Sequence, residues 1–205
     1  MLRRMIDLYT FTTPNGRKPA IMLEELSVPY KVHAFNISKG DQHTPEYLQI
    51  NPNGKIPALV DNDGPVTVFE SGAILIYLAE KYGRFLPGAG QARYTAIEWV
   101  MFQMAAVGPM FAQLGHFTRS APTKIPYAIE RYRSESRRLL SVMEGRLGSA
   151  DFLAGAYSIA DICTYPWVQP MMPAIAESSE FPAIRTWLAR VGQRPAVQKG
   201  MALLS

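Results

Sequence analysis

The sequence predicts an α/β domain followed by an all-α domain. Three observations carry this expectation. Strand-like and helical runs alternate up to about residue 82; Gly83, Pro87, Gly88 and Gly90 then cluster; and beyond them strand signals vanish while long helical patterns take over. A chain of 205 residues can bury one sizeable core or two small ones, and the change in character near residue 87 favours two. The expected divisions are a domain over 1–86, a linker over 87–92, and an all-helical domain over 93–205.

Met5 to Thr10 reads as a short strand. Gly16 to Leu26 reads as a helix, with Ala20, Ile21, Leu23 and Leu26 at helical spacing. Tyr30 to Phe35 alternates as a strand, a short helix is expected around Pro45 to Ile50, and two strands at Ala58 to Val60 and Val66 to Phe69. The apolar run Gly72 to Leu78, opened by Ser71, extends as a helix to about Tyr82. The resulting order β-α-β-α-β-β-α is the thioredoxin-like one. In the second half, helices are expected from about Arg93 to Gly115 and from Pro126 to Leu147, with Trp99, Met101, Phe102, Met104 and Met110 read first as core and second as a ligand pocket or dimer seam. Ser158-Ile159-Ala160-Asp161 has capping-box spacing, so Asp161 is read as structural.

Composition excludes several classes. With 48% hydrophobic residues and no apolar run near the roughly 20 residues that span a bilayer, a membrane protein is not expected. Met1-Leu2-Arg3-Arg4 is basic, but no apolar core follows before Tyr9 and Thr10, so the cytoplasm is the expected compartment. The net charge of +4 is dispersed, which argues against nucleic-acid binding. Its densest stretch, Arg131, Arg133, Arg137 and Arg138, is interleaved with Glu130 and Glu135 and reads as a solvated helix face. The single cysteine, Cys163, excludes an internal disulfide and reads as a core thiol in apolar surroundings.

Two segments carry chemistry. In Lys55-Ile56-Pro57-Ala58-Leu59-Val60, a proline opens a strand, where it cannot donate to the ladder; a cis Ile56-Pro57 bond would turn the Ile56 N–H and C=O toward an extended ligand. Ten residues on, Glu70 can accept from a ligand ammonium, and Ser71 can offer its hydroxyl and backbone N–H to a carboxylate, or simply cap the helix. Together they suit the two charges of an amino-acid head group and the backbone of a thiol tripeptide such as glutathione. In this order the two segments resemble the glutathione transferase superfamily, which implies a thioredoxin-like domain preceding a helical bundle over nearly the whole chain.

A glutathione site must make the thiol ionise near neutral pH, which calls for hydrogen-bond donors and positive potential at the sulfur. The loop Thr10 to Lys18 runs into a helix N-terminus, and Thr13 and Asn15 are neutral donors there; both are also common helix caps. No cysteine stands in this loop, and Tyr9, inside the strand by alternation, is the lesser catalytic candidate.

Thr13-Pro14-Asn15-Gly16, Ser38 to Gln42, Gly108-Pro109-Met110 and Ile125 to Tyr132 are together similar to the bacterial Nu-class glutathione transferases. The resemblance implies a homodimeric enzyme that uses reduced or oxidised glutathione to reduce small disulfides. Bound glutathione thiolate attacks the substrate disulfide, and a second glutathione resolves the mixed disulfide. It assigns Thr13 and Asn15 to the thiol, Gln42, Lys55, Ile56, Pro57, Glu70 and Ser71 to the first tripeptide, and Arg131 to a carboxylate of the second. The chain departs from the class at Leu114-Gly115-His116, where Asn-His-His is expected. Conjugation to hydrophobic electrophiles and a non-catalytic glutathione-binding module are the alternatives.

Overall fold

The structure is a computed structural model and describes residues 5–204; the basic positions 1–4 lie outside the described residues. It divides into two compact units, one of Met1–Gly88 with Arg194–Ser205, the other Ala89–Gln193.

In the first unit the chain order is β1 (Ile6–Thr10), α1 (Pro14–Leu26), β2 (Tyr30–Ala34), α2 (Pro45–Ile50), β3 (Ala58–Asp61), β4 (Val66–Phe69) and α3 (Ser71–Tyr82). The sheet runs β2-β1-β3-β4, with β1 and β2 parallel and the β1/β3 and β3/β4 pairs antiparallel. Period-two alternation in β1 buries Ile6, Leu8 and Thr10. The core of this unit adds Ala20, Ile21 and Leu23 of α1, Leu59 of β3, and Ile74, Leu75 and Leu78 of α3. Tyr9 points the other way and packs with His33, Phe35 and Tyr47. At the far end of the sheet Asp61, 0% exposed, is held by Tyr77 Oη at 2.7 Å and by Lys81, and its carboxyl lies below the usual range: burial alone would raise it, and these hydrogen bonds overcome that.

The chain returns to this unit at its end. The helix α9 (Pro195–Met201) packs on α1 so closely that a Cβ on Gly200 would lie 2.5 Å from Ile21 Cγ1, which leaves room only for glycine. Arg194 clasps the buried Glu25 carboxylate with both nitrogens, Nε to Oε1 at 2.6 Å and Nη2 to Oε2 at 2.8 Å. The sequence reading had grouped these residues with the helical domain.

The second unit is helical. A continuous helical run contains α4 (Gly90–Phe102) and α5 (Gly108–Gly115), each followed by a π-helical turn, at Gln103–Val107 and His116–Ser120. It begins three residues before the expected start. The helices α6 (Pro126–Leu147), α7 (Ile159–Ile175) and α8 (Pro182–Gly192) complete the unit. The expected core of this run needs correction. Its buried stripe is Ala96, Val100, Val107, Phe111 and Leu114, whereas Met101 is 49% exposed and Trp99, Phe102, Met104 and Met110 are only partly covered. In α4, which packs on α7, the small residues Ala96 and Val100, four apart, make the buried face, and Trp99, Met101 and Phe102 fall to its side or away from it; the π turn then adds one residue to the helical period before Phe111 and Leu114.

The capping box forms as expected. Ser158 Oγ accepts from Ala160 N at 3.2 Å, and Asp161 Oδ2 accepts from Ser158 N at 3.0 Å. Asp161 Oδ1 also accepts from Leu153 N at 3.0 Å and Trp187 Nε1 at 2.9 Å, tying the preceding loop and α8 to the start of α7. Burial pushes this carboxyl up to about 6, against the pull of those donors. Cys163 is fully buried as expected, but its surroundings are not wholly apolar: Sγ donates to Gln103 Oε1 at 2.9 Å. Among the described residues no helix is long and apolar enough to cross a membrane, and no cluster of His, Cys, Asp or Glu could hold a metal ion.

Candidate active site

Strand register gathers the site at one end of the sheet. Ala58 pairs with Tyr9 on one side and Phe69 on the other, so the loop after Thr10, the entry of β3 at Pro57 and the exit of β4 at Glu70 are neighbours.

The loop after β1 is fixed by its glycine. Thr10 Oγ1 donates to Gly16 O at 2.9 Å, and a Cβ on Gly16 would lie 2.2 Å from Phe11 O, so only glycine lets α1 start against the strand end. Thr13 is the N-cap of α1: extended, with φ −124° and ψ 158°, its Oγ1 accepts from Gly16 N at 3.0 Å. An oxygen that accepts in the cap keeps its own hydrogen for another acceptor, so cap and donor are compatible roles. Asn15 is the second residue of α1 and is half-buried.

The Ile56-Pro57 bond is cis, as the sequence reading expected. The loop before it is clamped at the Lys55 carbonyl, which accepts from Tyr47 Oη and Asn51 Nδ2, each at 2.6 Å. The Lys55 side chain itself is exposed, Ile56 is half-buried and Pro57 buried. Gln42 lies against the same loop: its Nε2 is 3.1 Å from His43 Nε2, and a Cβ on Gly54 would stand 3.0 Å from His43 Nδ1. Gln42 Oε1 is buried and accepts no hydrogen bond among the described residues. A buried amide oxygen left so costs about 1–3 kcal/mol, which a ligand N–H would recover.

Glu70 takes the left-handed region, φ 69° and ψ 118°, and occupies the N-cap position of α3 without capping through its side chain. A non-glycine residue there is strained by about 1–3 kcal/mol, a feature that clusters at ligand sites. Its carboxylate stays exposed. Ser71 is therefore not the cap, correcting that alternative; it is the first helical residue, 2% exposed, and its Oγ accepts from Lys18 Nζ at 3.1 Å.

Tyr9 is held in the aromatic cluster, its ring stacked on His33 at 4.5 Å and 12°. Burial first, and then the Asp7 charge, push its phenol above the ordinary range.

Arg131 belongs to the second unit, on α6, in an open groove of about 690 Å³ lined by Met110, Tyr127, Glu130, Tyr132, Ser134 and Glu135. Its neighbours bear out the solvated-face reading: Arg133 pairs with Glu130 at 3.7 Å, Arg138 with Glu135 at 2.7 Å, and Arg137 with Glu180. Arg131 alone of the four makes no ion pair among the described residues. His116 is exposed and stacks edge-on with Phe117.

Lys18, Tyr47 and Asn51 were not anticipated. Asn51 could have been suspected from the Asn-Pro-Asn-Gly turn at 51–54, but nothing in the sequence marks Lys18 as buried rather than exposed.

Two family models match the chain: Glutathione S-transferase, N-terminal domain, over residues 5–80, and Glutathione S-transferase, C-terminal domain, over 126–190. Among curated relatives, the disulfide-bond oxidoreductase YfcG of Escherichia coli is 46% identical over 98% of this chain and 95% of its own length. YghU of the same organism, also named a disulfide-bond oxidoreductase, is 39% identical over 95% of this chain and 73% of its own. A glutathione transferase from Burkholderia graminis, crystallised with two glutathione molecules per subunit, superposes with a TM-score of 0.93 at 45% identity, over 97% of this chain and 88% of that one. One from Pseudomonas putida, with one glutathione disulfide per subunit, superposes at 0.94 and 38% identity, over 100% and 94%.

Proposed function

The chain belongs to the glutathione S-transferase family, and from that premise we propose that it is a glutathione-dependent disulfide-bond reductase. The observation that carries the reading is the convergence, at one sheet end, of the Thr13-capped start of α1, the Gln42 and Lys55–Pro57 segments, and Glu70-Ser71 at the start of α3. The residues present fit glutathione. The Gln42 Oε1 acceptor lacks a partner among the described residues, Glu70 offers an exposed carboxylate to an ammonium, and Ser71 N–H opens the positive end of α3 to a carboxylate.

Bound glutathione supplies the thiolate that opens the substrate disulfide. The protein's part is to bind, orient and polarise. Glu70 and Ser71 hold the γ-glutamyl end, Gln42 contacts the tripeptide from beside the Lys55–Pro57 loop, and Ile56, through its backbone beside Pro57, pairs with the cysteinyl portion. Lys55 keeps its loop in place through its clamped carbonyl. Thr13 and Asn15 donate to the sulfur at the start of α1, where the helix dipole also favours the anion. Arg131, the cation in the α6 groove without an ion pair among the described residues, takes a carboxylate of a second glutathione. Relatives named disulfide-bond oxidoreductases, and crystal neighbours holding two glutathiones or one disulfide, support reduction over conjugation. The partly covered Trp99, Met101 and Phe102 suit a homodimer seam or an acceptor pocket, and the protein works in the cytoplasm on small-molecule disulfides.

The test is paired. Calorimetric titration with reduced and oxidised glutathione should give saturable binding of both, and turnover of a small disulfide should outrun conjugation of an aromatic electrophile. Binding without turnover of either would leave a binding module; conjugation as the dominant activity would leave a conventional transferase.

A further inference from the structure

Arg17 is a cation that the first unit leaves without a counterion. It stands on α1, where its backbone N–H donates to Thr13 O at 3.0 Å and closes the helical turn that the Thr13 cap opens. The side chain is half-buried, and Nε is enclosed with no acceptor among the described residues. Among them the guanidinium makes no hydrogen bond or ion pair at all, and the first turn of α1 holds no acidic residue. A guanidinium stays charged throughout the pH range of a folded protein. Drawing it partly out of water without an acceptor is unfavourable, and a bound anion offsets that cost.

Helix geometry says where the anion would lie. Residues four apart share one helix face, with about 5–6 Å between Cβ atoms, and a long helical side chain leans over the turn on its N-terminal side. Arg17 therefore covers the turn that begins at Thr13, the residue assigned to the glutathione sulfur. The ligand's α-carboxylate is assigned to the start of α3, so the anion that belongs to this turn is the thiolate. Other ionisable groups on α1 and the elements packed against it are engaged elsewhere: Asp7 with His33, Tyr9 in its aromatic cluster, Lys18 with Ser71, Lys81 with Asp61, and Lys199 with Glu24. The exposed Glu70 carboxylate opposes a thiolate, and the ligand's own ammonium offsets it.

We propose that Arg17 is an electrostatic supporting residue for the reactive sulfur, its fixed charge, one turn behind Thr13, holding the bound glutathione thiol in its ionised form. The inference rests on the glutathione reading above. Arg17 acts through space and does not touch the sulfur; it adds a full charge to the neutral donors Thr13 and Asn15 and to the dipole of α1. A cation favours thiolate over thiol, so its removal costs ionisation rather than binding of the tripeptide backbone.

The experiment titrates the thiolate absorbance of glutathione bound to the full chain, and measures by calorimetry the affinity for S-methylglutathione, whose sulfur cannot ionise. Arg17→Met should raise the bound thiol's pKa by roughly half a unit to one unit and move the acid limb of disulfide reduction toward alkaline pH by the same amount. Arg17→Lys, which keeps the charge and changes the packing, should restore most of that shift. Affinity of Arg17→Met for S-methylglutathione should stay within about twofold of the unaltered chain. An unmoved titration in folded Arg17→Met overturns the inference. So does a larger fall in S-methylglutathione affinity, which would give the cation to a carboxylate; either result leaves the site reading intact. Absence of glutathione binding to the unaltered chain overturns both. Should circular dichroism show Arg17→Met unfolded, Arg17→Gln decides: an upward shift of the bound thiol supports the role, and an unmoved thiol overturns it.

Discussion

Replacing Thr13 separates the job its oxygen performs from the one proposed for it. In the cap, Thr13 Oγ1 accepts from Gly16 N at 3.0 Å; toward the ligand, its hydrogen is assigned to the glutathione sulfur. Thr13→Ala removes both. Loss of the cap should lower stability by about 1 kcal/mol, within the 0.5–2 kcal/mol range of such caps. Loss of a neutral donor worth roughly 1 kcal/mol should raise the bound thiol's pKa by somewhat less than one unit, since 1.36 kcal/mol corresponds to about one unit. Thr13→Ser keeps the hydroxyl and should restore both quantities. Urea denaturation reads the first, and ultraviolet absorbance of the bound thiolate against pH reads the second. Activity of Thr13→Ala should fall near neutral pH and partly recover on the alkaline side. A destabilised Thr13→Ala whose thiol titrates unchanged would refute the donor assignment and leave Thr13 as a cap alone.

Asn15→Ala should raise the bound thiol's pKa by a similar fraction of a unit, whereas Tyr9→Phe should leave it unmoved; the reverse pattern in the same titration would transfer activation to Tyr9. Glu70→Gly accommodates φ 69° without strain, so stability should change by less than about 1 kcal/mol while glutathione binding weakens by about 1.5–3 kcal/mol in calorimetry; unaltered affinity removes Glu70 from the site. The Asp161 carboxyl, at about 6 in the folded chain against an ordinary 3.8, binds its proton more readily folded than unfolded. Its contribution is therefore full below pH ~4 and declines by roughly 3 kcal/mol as pH rises to ~6; the decline, read by tryptophan fluorescence in urea, should vanish in Asp161→Asn. Arg194→Ala removes two hydrogen bonds from the Glu25 carboxylate, 8% exposed, and should cost about 1–3 kcal/mol in the same denaturation series, less than a fully buried pair because Arg194 is 34% exposed.

The order of elements in the first unit was legible because each strand is short, alternating and bounded by turn residues, and because Glu70-Ser71 and Ile56-Pro57 sit at element starts where few roles compete. Thr13 was legible as a cap, the role in which its Oγ1 accepts from Gly16 N. Three features were not. In α4 the large apolar residues read as core, whereas the buried face is formed by the small Ala96 and Val100, four residues apart, and Met101, well off that face, proves exposed; the π turn at Gln103–Val107 then inserts one residue into the helical period ahead of Phe111 and Leu114. Lys18 lies in a polar stretch, Asn15 to Lys18, where a one-dimensional pattern cannot distinguish a snorkelling lysine from one enclosed by α1 and α3. Pro166, Pro170 and Pro173 would each argue for ending a helix, yet α7 runs through them to Ile175 because it is buried among its neighbours.

The return of α9 to α1 bears on how the chain is made. Synthesis proceeds from the N-terminus, so the residues up to Gly88 emerge first, but Ile21 lacks its Gly200 neighbour and Glu25 its Arg194 clasp until α9 has been made. The first unit is thus assembled from segments more than 160 residues apart at the Glu25–Arg194 pair. Its completion waits on the whole of the second unit being synthesised, and a ribosome paused before α9 would display the thioredoxin-like sheet with one flank of α1 bare to water.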